Sequence, residues 1–116
     1  MALENIDESF TIPILHKNVA VTNNAITTIV ACVAGQRVKV LSIAISSDTA
    51  SKFTLRSGNS ETIFDFHSGA NWGSITHAPN KFPLYVTNVG DALTIQSNDI
   101  SLDANVYVQY TQSADN

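Results

Sequence analysis

The fold is decided by residues 37–57, which read RVKVLSIAISSDTASKFTLRS. This stretch holds two runs of alternating apolar and polar residues, divided by a short segment rich in Ser, Asp and Thr. Alternation with a period of two is typical of β-strands that are buried on one face. In the first run the apolar phase shifts by one residue at Val40-Leu41, which predicts a β-bulge or a strand that changes sheets. In the second run Phe53 and Leu55 are predicted to face inward.

Similar short runs continue in both directions along the chain and indicate an all-β protein. Gly, Asn, Asp and Ser separate the runs, and turn signals stand at residues 57–60 and 88–91. About eight strands are predicted, at residues 14–22, 26–34, 37–47, 52–57, 61–66, 82–88, 92–97 and 104–112. Their regular spacing predicts a single-domain antiparallel β-sandwich that is jelly-roll-like.

The domain prediction has three parts: an N-terminal arm at residues 1–12, the β-sandwich at 13–112 and a frayed C-terminus at 113–116. The arm carries apolar residues at helical spacing with acidic residues between them, and Pro13 ends the pattern. A helix this short is marginal in water on its own. Two interpretations are open: an arm that docks on a neighbouring subunit, or a terminus that frays or caps one end of the core. The candidate interface residues of the arm are Leu3, Ile6, Phe10 and Ile12.

The strand predicted at 26–34 is apolar on both faces. Ile26, Val30 and Cys32 alternate with Ile29, Ala31 and Val33, so neither face offers polar groups to water. In a two-layer sandwich only an additional layer or a subunit interface would cover the outer face. Cys32 is predicted to be a small buried hydrophobic residue, and as the single cysteine it excludes an intrachain disulfide.

Composition narrows the function classes further. Charged residues make up 14% of the chain, against about 25% in typical soluble domains. Such a surface is either partly covered by a partner or coated with Ser, Thr and Asn. The net charge is −4 and the six basic residues are scattered, so nucleic-acid binding is not expected. No apolar run approaches the ~20 residues that span a bilayer, and the acidic N-terminus does not resemble a signal peptide.

The sequence predicts neither an enzyme nor a metal or cofactor site. His67 and His77 flank the longest predicted connection, residues 67–81, but no metal-ligand spacing accompanies them. Trp72 and His77 in this connection are candidate interface residues, because a lone tryptophan on a loop can anchor an interface, stack on a sugar or plug the end of the sandwich.

Four stretches carry a resemblance to a group of small tailed-phage virion proteins that includes head decoration (cement) proteins. They are VAGQRVKVLSI, KFTLRSG, VGDALTI and VYVQY, at residues 33–43, 52–58, 89–95 and 106–110. The resemblance implies a jelly-roll-like homotrimer on the outer surface of a phage head, bridging major capsid subunits, without catalytic residues or cofactor. It implies localisation in the virion after synthesis in the host cytoplasm. The connection at 67–81 is not part of the shared pattern.

Two other functions are compatible with the same sequence. A carbohydrate-binding or host-adhesion module of a phage fibre or bacterial surface would use Trp72 with polar neighbours such as Asn71 and His77. A secreted trimer similar to tumour necrosis factor is disfavoured by the acidic N-terminus. The resemblance and the uncharged segment 26–34 favour the structural virion protein.

Overall fold

A computed structural model describes residues 13–69, 73–77 and 83–114 of the chain. Nine strands lie in these residues, and the alternating runs of the sequence account for most of them. Their bounds are β1 Leu15–Val21, β2 Thr27–Val30, β3 Gln36–Ser47, β4 Ser51–Ser57, β5 Glu61–Ser68, β6 Gly73–His77, β7 Tyr85–Val86, β8 Leu93–Ser97 and β9 Ala104–Ala114.

The strands pair as one long antiparallel hairpin that is folded over on itself. β1 pairs with β9, β2 with β8, β3 with β6 and β4 with β5. Two further pairings, β3 with β9 and β4 with β8, divide the hairpin into sheet A (β1-β9-β3-β6) and sheet B (β2-β8-β4-β5). The short β7 adds to β3 of sheet A. This nested order is that of a jelly roll, so the predicted fold class is confirmed.

The core lies between the sheets because the inward-facing positions are almost all apolar. Phe53 and Leu55 of β4 and Leu93 and Ile95 of β8 are completely buried, as the alternation predicts. On the facing sheet, the predicted inward residues of β9 are buried as well: Val106, Val108 and Tyr110. The period of two thus fixes which residues of the central strands form the core.

The phase shift in the sequence of β3 is a β-bulge. The register of β3 against β9 changes between Val40 and Ser42. Val38 is buried before this point, and Ile43 and Ile45 are buried after it. One extra residue in the strand moves the apolar positions from even to odd numbers without turning them outward. Of the two predicted explanations the bulge is correct, since β3 stays in sheet A throughout.

The long connection predicted at 67–81 is wrong in its extent. His67 and Ser68 complete β5, and residues Gly73–His77 form β6, which pairs with residues Ile43–Ser47 of β3. The strand β6 forms because β3 offers a row of backbone donors and acceptors with which it can pair. Residues 73–77 do not need a strong alternation of their own for this pairing. Sequence periodicity does not detect a strand of this kind.

The strand predicted at 82–88 is both too long and in the wrong phase. Only Tyr85–Val86 forms β7, and Val86 is exposed, although the alternation of Phe82, Leu84 and Val86 predicts that it faces inward. Tyr85 packs against the core instead, with its ring centroid 5.5 Å from that of Phe64 and 5.8 Å from that of Phe66. This burial raises the pKa of the Tyr85 phenol. The aromatic cluster therefore sets the phase of β7.

The observed strand pairing corrects two other predictions, one at the end of β2 and one at the C-terminus. Beyond Val30, β2 has no strand to pair with, because its neighbour β8 begins at Leu93, directly opposite Val30. Residues 31–34 consequently leave the sheet, and Cys32 is exposed rather than buried. At the other terminus, residues 113 and 114 pair with β3 and are not frayed, whereas the last two residues lie outside the described part.

Candidate functional site

One end of the sandwich exposes a group of apolar residues, here called the apolar end: Ile14, Leu15, residues 31–34 and Val89. Ile14 is 63% exposed, and Val33 and Val89 are each more than 40% exposed. These residues are separated in sequence but share one end because the strands that carry them begin or finish there. Contiguous apolar surface of this kind marks an interaction site more often than isolated exposed residues do.

Backbone contacts hold the parts of the apolar end together. Gln36 donates its backbone N–H to the Val33 carbonyl at 3.1 Å and accepts from the Gly90 N–H at 2.7 Å. The Gln112 side-chain amide donates to the Ala31 carbonyl at 3.2 Å. The 31–34 segment is thus fixed to the ends of β3 and β9, with its apolar side chains facing outward.

The edge of sheet B next to this end is protected by the shortness of β2, which has four residues, and by a bulge, but not by charge or proline. β2 is the edge strand, and residues 26–34 contain no charged residue and no proline. Natural edge strands are normally protected by Lys, Pro or a covering loop. Here β2 has a register irregularity between Thr28 and Val30. The uncharged β2 edge thus adjoins the apolar end, which has a charged side chain beside it, Glu61, which accepts a hydrogen bond from the Asn88 side-chain amide at 2.7 Å.

A second candidate site, the polar groove, lies on the outer face of sheet B. It has a volume of about 250 Å³ and is lined by the outward residues of β4 and β8 and by two adjoining turns. The lining residues are Asn24, Lys52, Thr54, Arg56, Gln96, Ser97 and Asn98. Three of these side chains are amides, two are cations and none is a carboxylate.

Neutral acceptors hold Arg56 in the groove. Its Nε and Nη2 donate to Gln96 Oε1 at 3.2 and 3.0 Å, and its Nη1 donates to Thr62 Oγ1 at 3.1 Å. Gln96 is fixed in turn, because its Nε2 donates to the Asn24 carbonyl at 2.9 Å. The guanidinium is therefore oriented while its charge has no carboxylate partner among the described residues. Such preorganisation lowers the entropy cost of binding an anion.

The carboxylate nearest in the strand register to this groove belongs to Asp65, which is hydrogen-bonded to Thr54, one of the residues that line the groove. Asp65 on β5 lies opposite Thr54, and its Oδ1 accepts the Thr54 hydroxyl at 2.7 Å. Lys52 lies opposite His67, and its backbone N–H donates to Asn98 Oδ1 at 3.0 Å. The groove thus combines two cations, Arg56, whose guanidinium is held by hydrogen bonds, and Lys52, which lies four residues before it on the same face of β4.

The opposite end of the sandwich, here called the closed end, is joined by hydrogen bonds between loops. Asp48 and Asp103 exchange two bonds: the Asp48 N–H donates to the Asp103 carbonyl at 3.0 Å, and the Asp103 N–H donates to Asp48 Oδ1 at 2.8 Å. The Asp103 backbone amide, followed by the Thr49 hydroxyl, lowers the pKa of the Asp48 carboxyl. Ser51 and Ser97 share a hydrogen bond of 2.7 Å nearby.

The predicted interface residues fall largely outside the described part of the chain. This is true of Leu3, Ile6, Phe10, Ile12 and Trp72. His77 is the last residue of β6, and its backbone lies opposite Ile43 of β3. Their roles remain predictions. Among the described residues, no group of three His, Cys, Asp or Glu side chains could hold a metal ion. A membrane-spanning helix is absent from the same part of the chain.

Both surfaces described above were only partly visible in the sequence. The outward alternation of Lys52, Thr54 and Arg56 predicts a polar face on β4. It does not predict a groove, because Gln96 and Asn24 reach that face only through the β4–β8 pairing and the β1–β2 turn. The uncharged 26–34 segment was the signal for the apolar end, although its exposure depends on where β8 begins.

Several solved structures are similar to this chain. One is a chain of the acidic stable capsid structure of Helicobacter pylori bacteriophage KHP30, with a TM-score of 0.56 and 11% identity, covering 88% of this chain and 94% of that chain. A chain of the cyanophage Pam1 capsid asymmetric unit is 20% identical, with a TM-score of 0.48 and coverages of 85% and 83%. A third belongs to the virus-like particle of the Macrobrachium rosenbergii extra small virus, with a TM-score of 0.44, 10% identity and coverages of 90% and 80%.

The likeness to the KHP30 chain shows a shared fold and no more, because only 11% of the aligned residues are identical. No protein-family model and no curated protein sequence matches this chain. The two surfaces of the molecule itself therefore have to support any statement about function.

Proposed function

We propose that this protein is a structural component of a virion, a cement protein that binds the outer surface of a phage head and bridges major capsid subunits. The observation that carries the proposal is the apolar end with the adjoining uncharged edge of β2. Burying exposed apolar surface contributes roughly 25 cal/mol per Å². A sandwich without disulfides that leaves such a surface uncovered gains stability when a partner covers it.

Three further features support the proposal. The fold is shared with a chain of a phage capsid structure. Four sequence stretches resemble small virion proteins. The outer face of sheet A has no Asp, Glu, Lys or Arg next to Tyr107, whose ring centroid lies 6.0 Å from that of His16. On that face the Ser42 hydroxyl donates to Gln109 Oε1 at 2.9 Å. Flat surfaces with satisfied polar groups and few charges suit contacts between copies.

The proposed assembly is a homotrimer whose arm, residues 1–12, contributes to attachment. Size-exclusion chromatography with light scattering tests the trimer, and a monomer at micromolar concentration would count against it. Attachment is tested by sedimenting the protein with heads of the phage that encodes it. Removing residues 1–12 should lower the occupancy of the heads. An unchanged occupancy would remove the arm from the proposal while leaving the trimer in place.

A carbohydrate-binding module is the second candidate, and the polar groove is the observation in its favour. Three amide side chains beside two cations can donate and accept several hydrogen bonds from sugar hydroxyls. Against it, none of the described residues that line the groove is aromatic, and aromatic side chains are the ones that commonly stack on sugars. A glycan array decides: binding that is lost in an Arg56→Gln variant would favour this candidate over the cement protein.

A further inference from the structure

We infer that the polar groove on the outer face of sheet B binds the acidic N-terminal arm, residues 1–12, of a neighbouring copy of this chain. The inference rests on the proposed assembly of copies. It goes further by naming the receiving site, the segment received and the charge interaction between them.

The charge distribution of the chain is the first argument. Residues 1–12 contain three acidic residues, Glu4, Asp7 and Glu8, and no Lys or Arg. The remainder holds six basic and seven acidic residues, so its net charge is −1, and the arm carries −3 of the total of −4. The arm is therefore the most acidic segment of the molecule, and the groove offers two cations without a carboxylate in its lining.

The shape of the groove is the second argument. Its volume of about 250 Å³ is smaller than the ~300–1,000 Å³ of pockets that usually enclose a small organic ligand. A depression of this size accepts one or two carboxylate side chains from a peptide that lies across the sheet. Arg56 is already oriented by Gln96 and Thr62, so it can engage a carboxylate with little loss of entropy.

The position of the groove indicates that the arm comes from another copy. The arm continues into β1, the outer strand of sheet A, whereas the groove faces outward from sheet B on the other side of the sandwich. Pro13 lies at the apolar end of sheet A, whereas the groove runs along sheet B from Asn24 and Asn98 beside the closed end to Arg56, one residue before the end of β4. A chain's own arm would have to pass around the β2 edge and cover the surface that the proposed assembly buries.

A labelled peptide of residues 1–12 tests the inference against the full-length chain, diluted until its copies dissociate so that the grooves are free of neighbouring arms. We expect saturable binding in fluorescence anisotropy that weakens about tenfold or more in a Lys52→Glu/Arg56→Gln double variant, because the carboxylates lose their cationic partners. A Lys39→Glu/Lys17→Gln double variant on sheet A is the matched control, with the same change of charge outside the groove, and should bind like the natural chain. Binding should also weaken as salt rises, since exposed charges are screened within ~10 Å at 0.1 M ionic strength.

Charge exchange makes the test specific. A peptide with Glu4, Asp7 and Glu8 all changed to Lys should fail to bind the natural chain and should bind a Lys52→Glu/Arg56→Glu variant. Circular dichroism melting shows whether each variant folds, and an Arg56→Lys variant with intact binding would also support the inference. Equal affinity of the peptide for the natural and groove-altered chains would overturn it, as would competition by an acidic glycan but not by unlabelled peptide.

The oligomeric state separates this inference from the proposed function. A natural chain that is monomeric refutes the assembly and the inference together. A natural chain that is trimeric, with peptide binding unaffected by the groove variants, refutes the groove as the receiving site and leaves the cement function standing.

Discussion

The two ends of the sandwich differ in how their turns are built and in how many apolar side chains they expose. At the closed end, loops are tied by side-chain hydrogen bonds such as Asp48 to Asp103 and Ser51 to Ser97. At the apolar end, turns rely on the left-handed backbone of Gly35, Gly58 and Gly90, the three glycines with positive φ among the described residues. Side-chain hydrogen bonds also occur at the apolar end, where Ser57 donates to Asp91 Oδ2 at 2.8 Å. The ends therefore differ chiefly in the number of exposed apolar side chains, since the closed end exposes Ile100 and the apolar end exposes several.

The largest effect is expected from placing a charge on the apolar end. Val33→Asp should raise the dissociation constant of the oligomer about 100-fold, or ~2.7 kcal/mol, because a carboxylate would be buried without a partner. Light scattering over a dilution series measures it. Ile100→Asp is the matched control, since Ile100 is 78% exposed but lies at the closed end. Equal effects of the two changes would end the distinction between the ends.

A smaller effect concerns the exposed thiol of Cys32. Because Cys32 lies in the apolar end, assembly should slow its reaction with a thiol reagent about tenfold, which corresponds to ~1.4 kcal/mol. As the single cysteine it reports on this segment alone. The Val33→Asp variant, as a monomer, should react at the fast rate. A rate in the natural chain that does not depend on protein concentration would contradict burial of this end.

The turn glycines allow a test on stability. Gly58 has a φ of +68°, so Gly58→Ala should lower the free energy of unfolding by about 1 kcal/mol through backbone strain. The added Cβ would lie 3.4 Å from the Asp91 carboxylate, which is an ordinary contact. Gly69→Ala is the control, since Gly69 has no left-handed φ and no atom within 4 Å of the added Cβ. Urea unfolding of both variants measures the difference.

The smallest effect is expected at the closed end and depends on pH. The pKa of Asp48 is lowered from its usual 3.8, so its charged form contributes stability above about pH 4, and the contribution is lost as the pH falls through the lowered pKa. Asp48→Asn should therefore melt at a lower temperature than the natural chain at pH 7, and the difference should shrink below pH 4. Thr49→Val, which removes only the hydroxyl donor, should reproduce part of this pattern. A difference that is constant with pH would assign the effect to packing.

The central strands were predictable because their local pattern and their environment agree. The inward residues of β4, β8 and β9 and the bulge in β3 follow from alternation, since a buried face demands apolar side chains at every second position. The predictions failed at the sheet edges. β6 forms because β3 has free backbone groups, and the exposure of Cys32 follows from the point at which β8 begins. The groove was missed because its residues come from three separate parts of the chain.

The sequence by itself determined that this protein is an all-β sandwich with a low charge and an uncharged segment at residues 26–34. These properties depend on residue type and on spacing within one strand, which local physics controls. Only the tertiary structure decided which ends meet, that residues 31–34 face outward, and that Arg56 is fixed by Gln96 across the sheet. Such features arise from pairings between distant strands, and no short-range pattern encodes the surfaces that those pairings create.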